Sequence, residues 1–169
     1  HKADFENIDI TDSRISDVIK AFDPNVISHF AAQTSVSIST NNPILDANSN
    51  IIGSMKIFDA MNETECRNFI YINTGGALYG DPEYLPLDES HRINPISPYG
   101  LSKWTAERYL LMQKKPYQHV KTLRLSNVYG PRQDAFGEAG VVSIFSNKML
   151  SGESVTIFGD GKQTRDFVY

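Results

Sequence analysis

The chain has 169 residues, 40% of them hydrophobic and 21% charged, with a formal net charge of −4; this is enough for a domain with a real core and is ordinary for a soluble protein. The negative balance, with no basic cluster longer than two adjacent residues, leaves no electrostatic footprint for nucleic acid or an anionic membrane, and no apolar run is long enough to span a bilayer. The one cysteine, Cys66, excludes an internal disulfide and fits a reducing cytoplasm, and His1, His29, His91 and His119 show no ligand spacing, so no metal site is expected.

The first residues, His1 to Glu6, lack the pattern of a signal peptide and open almost directly on strand-like sequence. Ile15, Val18, Ile19 and Phe22 recur at helical spacing behind the cap candidates Thr11 and Asp12. Residues 26–32 form a short apolar run, β-branched at its start, that suits a buried parallel strand. After a polar stretch, Pro43 opens a long amphipathic run in which Ile44, Leu45, Ile51, Ile52, Met55, Phe58 and Met61 keep one face apolar. Residues 69–73 are the next strand. Ser97 then reads as an N-cap with Pro98 at the first helical position, and the helix formers that follow must end before Pro116. Residues 120–126 are another strand. A helix carrying Ile144, Phe145, Met149 and Leu150 ends at Ser151-Gly152, and residues 155–158, 159–162 and 163–169 read as strand, turn and strand. Strands alternating with helices predict an α/β fold with a parallel sheet and helices on both faces. Both ends look cut, so the chain reads as an internal piece of a longer protein.

The most informative pair is Tyr99 and Lys103. Four residues apart on a helix, they sit one above the other. An ammonium beside a phenol favours the phenolate, so the tyrosine is expected to titrate below its usual value of about 10 and to act as a general base toward a substrate hydroxyl. Taken alone, the spacing fits equally a stray aromatic and a solvated lysine on a surface helix. Its company argues otherwise. Ligands of parallel α/β sheets bind at the carboxyl ends of strands, and those ends carry Ala31-Ala32-Gln33-Thr34, Asn73-Thr74-Gly75-Gly76 and Ser126-Asn127.

In this order, Asp9-Ile10, His29-Phe30-Ala31-Ala32, Asn50 ahead of Gly53-Ser54, residues 74–80, Ser97-Pro98-Tyr99-Gly100-Leu101-Ser102-Lys103, residues 124–133 and Arg165-Asp166-Phe167-Val168-Tyr169 resemble the NAD-dependent epimerase/dehydratase family of extended short-chain dehydrogenase/reductases. The resemblance implies a partial Rossmann-type NAD-binding domain over residues 1–135 and the start of a smaller, truncated substrate-binding region over 136–169. It implies NAD as cofactor, a UDP-sugar as substrate, a cytoplasmic homodimer, and no nucleic acid or membrane partner. The family's opening glycine-rich phosphate loop does not occur in this chain, so the piece is expected to bind NAD poorly by itself.

Residue by residue, the resemblance puts Asp9, Ile10, Phe30, Ala31, Ala32, Asn50, Tyr99 and Lys103 at the cofactor. Tyr99, Lys103 and Thr74 form the catalytic set, and Thr74, Asn127, Phe158 and Arg165 meet the substrate. Several of these have a plainer alternative. Thr74 could simply end a strand, and Asn73 or Gly75 could take its slot. Ala31 and Ala32 also fit core packing. Asn50 is either a buried, satisfied amide or a loop-pinning or cofactor contact. Phe158 is hairpin core or a face for uracil. Arg165 is a solvated hairpin charge or a fork for the diphosphate.

Dehydratases and decarboxylases that resemble this chain carry a carboxylate after the threonine, where this chain has Gly75-Gly76-Ala77. Elimination without an acid stalls. The resemblance therefore implies epimerisation at C4, most simply of UDP-glucose and UDP-galactose through a transient 4-keto sugar. The alternatives are another reaction of the family, whether dehydratase, decarboxylase or reductase, and a non-catalytic dinucleotide-binding homologue.

Overall fold

A computed structural model describes residues 3–135 and 140–169. His1, and residues 136–139 with which the smaller region was expected to begin, lie outside the described residues. The chain divides into two compact units, His1–Arg124 and Leu125–Tyr169.

The first unit is built on a three-stranded sheet of order β1 (Val26–His29), β2 (Asn68–Thr74), β3 (His119–Leu125). Strands β1 and β2 are parallel, with Val26 opposite Asn68 and His29 opposite Tyr71. Period-two alternation puts Phe69, Tyr71 and Asn73 on the buried face of β2, with Ile70 and Ile72 half-buried on the other. Three helices cover the buried face: α1 (Ile15–Phe22), α4 (Ser54–Met61) and α6 (Pro98–Gln113). Ile15, Ile57, Phe58, Met61, Phe69, Ala106 and Leu110 form one core there, and the Phe58 and Phe69 rings meet edge to face at 5.3 Å.

The run expected after Pro43 is helical throughout but not uniform. It begins as α3 (Pro43–Ala47), capped by the Asn42 side chain, which accepts from the Leu45 N–H at 3.1 Å. It widens to a π turn over Asn48–Gly53 and continues as α4. The widened turn re-phases the two halves. Ile57, Phe58 and Met61 are therefore core, whereas Ile44, expected on the same apolar face, is 74% exposed. Phe22, expected inside, is exposed as well. A short helix expected as polar loop, α2 (Val36–Asn41), is capped by Ser35, whose hydroxyl accepts from the Ile38 N–H at 2.9 Å. At the N-terminus of α6 the expected cap is present, the Ser97 hydroxyl accepting from the Gly100 N–H at 3.1 Å with Pro98 in the first turn.

In the second unit, α7 (Val141–Leu150) is followed by Gly152 at φ 73°, a left-handed stop. The expected strand–turn–strand does not form. Residues 155–158 pair with nothing as a strand. Instead β5 (Phe167–Val168) pairs in parallel with β4 (Asn127–Val128). Its backbone is claimed by Asn127 and Tyr129, whose N–H groups donate to Asp166 and Val168 carbonyls at 3.1 and 2.9 Å.

No helix among the described residues is long and apolar enough to cross a membrane.

Candidate active site

Strand β2 delivers Thr74 at its carboxyl end, and the chain turns at once into α5 (Gly75–Leu78). Helix α6 begins against that turn. A Cβ on Gly100 would lie 2.3 Å from the Ala77 carbonyl oxygen, so glycine is what lets the first turn of α6 sit on α5. The contact brings the first turn of α6, with Tyr99, up to the end of β2, where the Thr74 side chain acts on the phenol and lowers its pKa. Thr74 is half-buried at the end of β2, and Gly75 and Gly76 open α5 directly after it. Asn73 points the other way, into the core side of the strand.

The expected lowering of the Tyr99 pKa is not found. Burial pushes the phenol above its usual value of 10, the Thr74 hydrogen bond pulls it part of the way back, and the Asp46 carboxylate adds to the rise. Lys103 does not offset this. Its side chain is 4% exposed, and its Nζ lies over the Tyr71 ring, 4.3 Å from the centre. Burial lowers its own pKa to about 8, against the supporting charge of Asp46. Tyr71 remains a neutral phenol, raised by burial, and donates to the Lys103 backbone carbonyl at 3.4 Å.

Behind Lys103 lies a buried polar layer. Asp46 Oδ1 accepts from Gln33 Nε2 at 2.7 Å and from Asn50 Nδ2 at 3.0 Å. Asn50, 1% exposed, also takes the Gln33 N–H on its Oδ1 at 2.9 Å and donates to the Gln33 carbonyl at 3.0 Å and the Ser102 hydroxyl at 3.1 Å. Its amide is thus spent inside the protein, joining the loop after β1 to α6. His29, at the end of β1, shares a 2.9 Å hydrogen bond with the Ser54 hydroxyl, and burial, with the nearby Lys103 charge, lowers its pKa to about 4.

A second layer lies under Thr74. Asn73 Oδ1 accepts the Thr74 backbone N–H at 2.8 Å, and its Nδ2 donates to Glu107 Oε2 at 2.6 Å. Glu107 is ion-paired with Arg124 at 2.7 Å, and Arg124 Nη1 donates to the Tyr79 hydroxyl at 3.0 Å.

Asp9 holds the next turn of chain, its Oδ1 accepting from the Thr11 N–H at 2.7 Å and the Thr11 hydroxyl at 2.6 Å. Asp9 and Thr11 line an open cleft of about 370 Å³ with Asn42, Ile44, Leu45, Asn48 and Ser49. Ile10 packs into the space that a Cβ on Gly53 would occupy, 2.7 Å from its Cδ1. Just after β1, Phe30 is 66% exposed, Ala31 is exposed and Ala32 half-buried, so none of the three is core.

The remaining expected substrate contacts belong to the second unit. There the Asn127 amide donates to the Asp166 carbonyl at 3.0 Å, and Arg165 Nη1 donates to the Thr164 carbonyl at 2.7 Å. Phe158 is exposed, which removes the hairpin-core alternative. Among the described residues no group of three or more His, Cys, Asp or Glu could hold a metal ion.

The sequence reading missed Asp46, Glu107 and the pairing of Arg124. A signal existed for two of them. Asp46 precedes Asn50, and Glu107 follows Lys103, by one helical turn on helices already recognised as site-bearing.

The model of the NAD dependent epimerase/dehydratase family matches residues 1–169. A UDP-glucose 4-epimerase of Mycolicibacterium smegmatis is 41% identical over 99% of this chain and 54% of its own length. Among solved structures, the UDP-glucose 4-epimerase of Thermotoga maritima with UDP-glucose superposes with a TM-score of 0.94 at 44% identity, covering 99% of this chain and 55% of that one. The UDP-glucose 4-epimerase of Thermus thermophilus in complex with NAD gives 0.88 at 38%, covering 96% and 55%. The chain spans about half the length of the relatives it matches. With its sheet, its Tyr99–Lys103 helix and this match along its whole length, the chain belongs to the NAD-dependent epimerase/dehydratase family.

Proposed function

We propose that the intact protein is an NAD-dependent sugar-nucleotide 4-epimerase that interconverts UDP-glucose and UDP-galactose through a transient 4-keto sugar, and that this chain carries its base. The observation behind the proposal is the convergence of Thr74, at the carboxyl end of β2, and Tyr99, in the first turn of α6 where Gly100 seats that helix on α5, with Lys103 buried one turn further along α6. Tyr99 takes the proton of the sugar 4-hydroxyl, and Thr74 hydrogen-bonds the same oxygen. NAD, when bound, supplies the hydride acceptor and a positively charged ring. Burial alone keeps the Tyr99 phenol protonated, so its ionisation depends on added positive charge at the site. Lys103 is suited to contribute, being already buried with its ammonium over a π face.

The residues fit a dinucleotide. Asp9 is an exposed carboxylate at the rim of an open cleft, suited to an exocyclic amine, with Ile10 beside it. Ala31 and Ala32 leave room past the end of β1, and exposed Phe30 offers an apolar face there. Asn50 serves by holding the Gln33 loop in place. Asn127, Phe158 and Arg165 remain candidates for the nucleotide end of the substrate.

Epimerisation is favoured over dehydration by the carboxylates. Gly75-Gly76-Ala77 provides none, and the buried Asp46 and Glu107 are already held, by Gln33 and Asn50 and by Asn73 and Arg124. A homodimer fits the apolar side chains that α6 exposes, Leu101, Tyr109 and Met112. The buried, free Cys66 fits a cytoplasmic location, and a role in galactose metabolism follows from the proposed substrates.

The test is product analysis of the full-length protein with UDP-galactose, with and without Tyr99→Phe. Formation of UDP-glucose that falls by most of its rate in the variant, with cofactor still bound, is expected. Full turnover by the variant would overturn the assignment of the base. No product and no rise in absorbance at 340 nm on adding the UDP-sugar would point to the non-catalytic homologue.

A further inference from the structure

Tyr99 and Thr74 sit on different elements, and only one of them is fixed by its own helix. Thr74 lies at the point where β2 becomes α5, and its side-chain direction follows from its backbone. That backbone is tied down. Its N–H donates to Asn73 Oδ1 at 2.8 Å, and the same amide donates through Nδ2 to Glu107 Oε2 at 2.6 Å. Glu107 stands on α6 one turn beyond Lys103 and two beyond Tyr99. It is fixed from the far side by Arg124, whose Nη2 donates to Oε1 at 2.7 Å, and Arg124 is itself held by the Tyr79 hydroxyl at 3.0 Å. Asn73 and Glu107 are each nearly out of solvent. A bidentate use of an asparagine, with its carbonyl on the catalytic strand and its amide on the catalytic helix, makes a rigid brace between the two. Removing a partner from such a chain leaves buried groups unpaired.

We propose that Asn73 is a positioning residue: braced by the Glu107–Arg124 ion pair on α6, it fixes the Thr74 backbone so that the threonine hydroxyl meets the Tyr99 phenol. The proposal rests on the epimerase reading above. It concerns a residue that touches neither substrate nor cofactor. It also explains why a charged pair is buried at the end of a strand, where two apolar residues would fold as well.

Asn73→Ala is the test, made in the full-length enzyme. Glu107 keeps Arg124 in that variant, so the protein is expected to fold. Turnover should fall about 10-fold to 100-fold, as for a catalytic group displaced by about an ångström, with KM changed less than about twofold. The acid limb of kcat against pH should move upward, as in Thr74→Ala, because the phenolate loses the threonine hydrogen bond. The double variant should be no slower than Thr74→Ala alone, since the brace acts only through Thr74. Glu107→Gln, which keeps an acceptor for the Asn73 amide, should retain more activity than Glu107→Ala. Multiplying losses in the double variant, an unmoved acid limb, or near-normal turnover of Asn73→Ala would each overturn the proposal, as would a Thr74→Ala variant of normal activity. Tyr99→Phe, assayed alongside, reports on the epimerase reading separately.

Discussion

The ammonium of Lys103 faces the ring of Tyr71 at 4.3 Å, so the charge expected to serve Tyr99 rests instead on a strand aromatic under the helix. A buried lysine in that setting is costly to keep charged, and its pKa falls to about 8.

Lys103 should therefore titrate near pH 8 in the cofactor-free protein, which lysine Cε NMR would measure. Since its folded pKa lies below the unfolded value of 10.5, the cost of about 3 kcal/mol is fully present below pH 8 and is relieved as pH rises toward 10.5. Tyr71→Leu removes the π face and should lower the Lys103 pKa further. An unchanged titration in that variant would mean that the ring does not support the charge.

His29 gives the opposite flank of the pH profile. Its folded pKa of about 4 is below the usual 6.5, so neutral His29 stabilises the fold above pH 6.5, and that contribution is lost as pH falls toward 4. Between pH 7 and pH 5 the full-length protein should lose about 2 kcal/mol that His29→Gln does not lose, read by urea unfolding at the two pH values.

Much of this was legible beforehand, and the reasons are local. The cap formed by Ser97 and Pro98, the spacing of Tyr99 and Lys103, and the apolar β-rich run of β2 each depend on residues a few positions apart, so sequence order reports them. The direction of the Tyr99 shift was not legible. It depends on which neighbour Lys103 faces, and Tyr71 is 32 positions away. The same holds for Arg124, whose partners Glu107 and Tyr79 arrive from other elements. The apolar face over Ile44 failed because a uniform helical period was assumed through a segment that widens.

Asn50→Ala should destabilise the protein by about 2–3 kcal/mol, because the Gln33 backbone and Asp46 lose partners while still buried. Denaturant unfolding would read it. Cofactor affinity should drop with it, as the loop after β1 comes loose from Ser102.

Gly100→Ala forces a methyl group onto the Ala77 carbonyl, 2.3 Å away, with Pro95 Cβ at 3.0 Å. Overpacking of this kind costs about 1–3 kcal/mol, and here it pries α6 from α5. Turnover should fall more than stability, with kcat affected before KM. A variant with normal kcat would show that the two helices need not touch for the base to work.

The wide turn over Asn48–Gly53 has one more consequence. A π turn carries about one residue more than an α turn, so this stretch absorbs that residue without turning its flanks, whereas removing a residue elsewhere in 43–61 would rotate everything upstream against everything downstream by about 100°. With Phe58 and Met61 kept in the interior, Asp46 would then swing off Gln33 and away from Lys103. This stretch therefore works as a gear between two interlocked surfaces, one turned to the apolar interior and the other to the charged centre. A deletion outside it should be tolerated far less well than one within it.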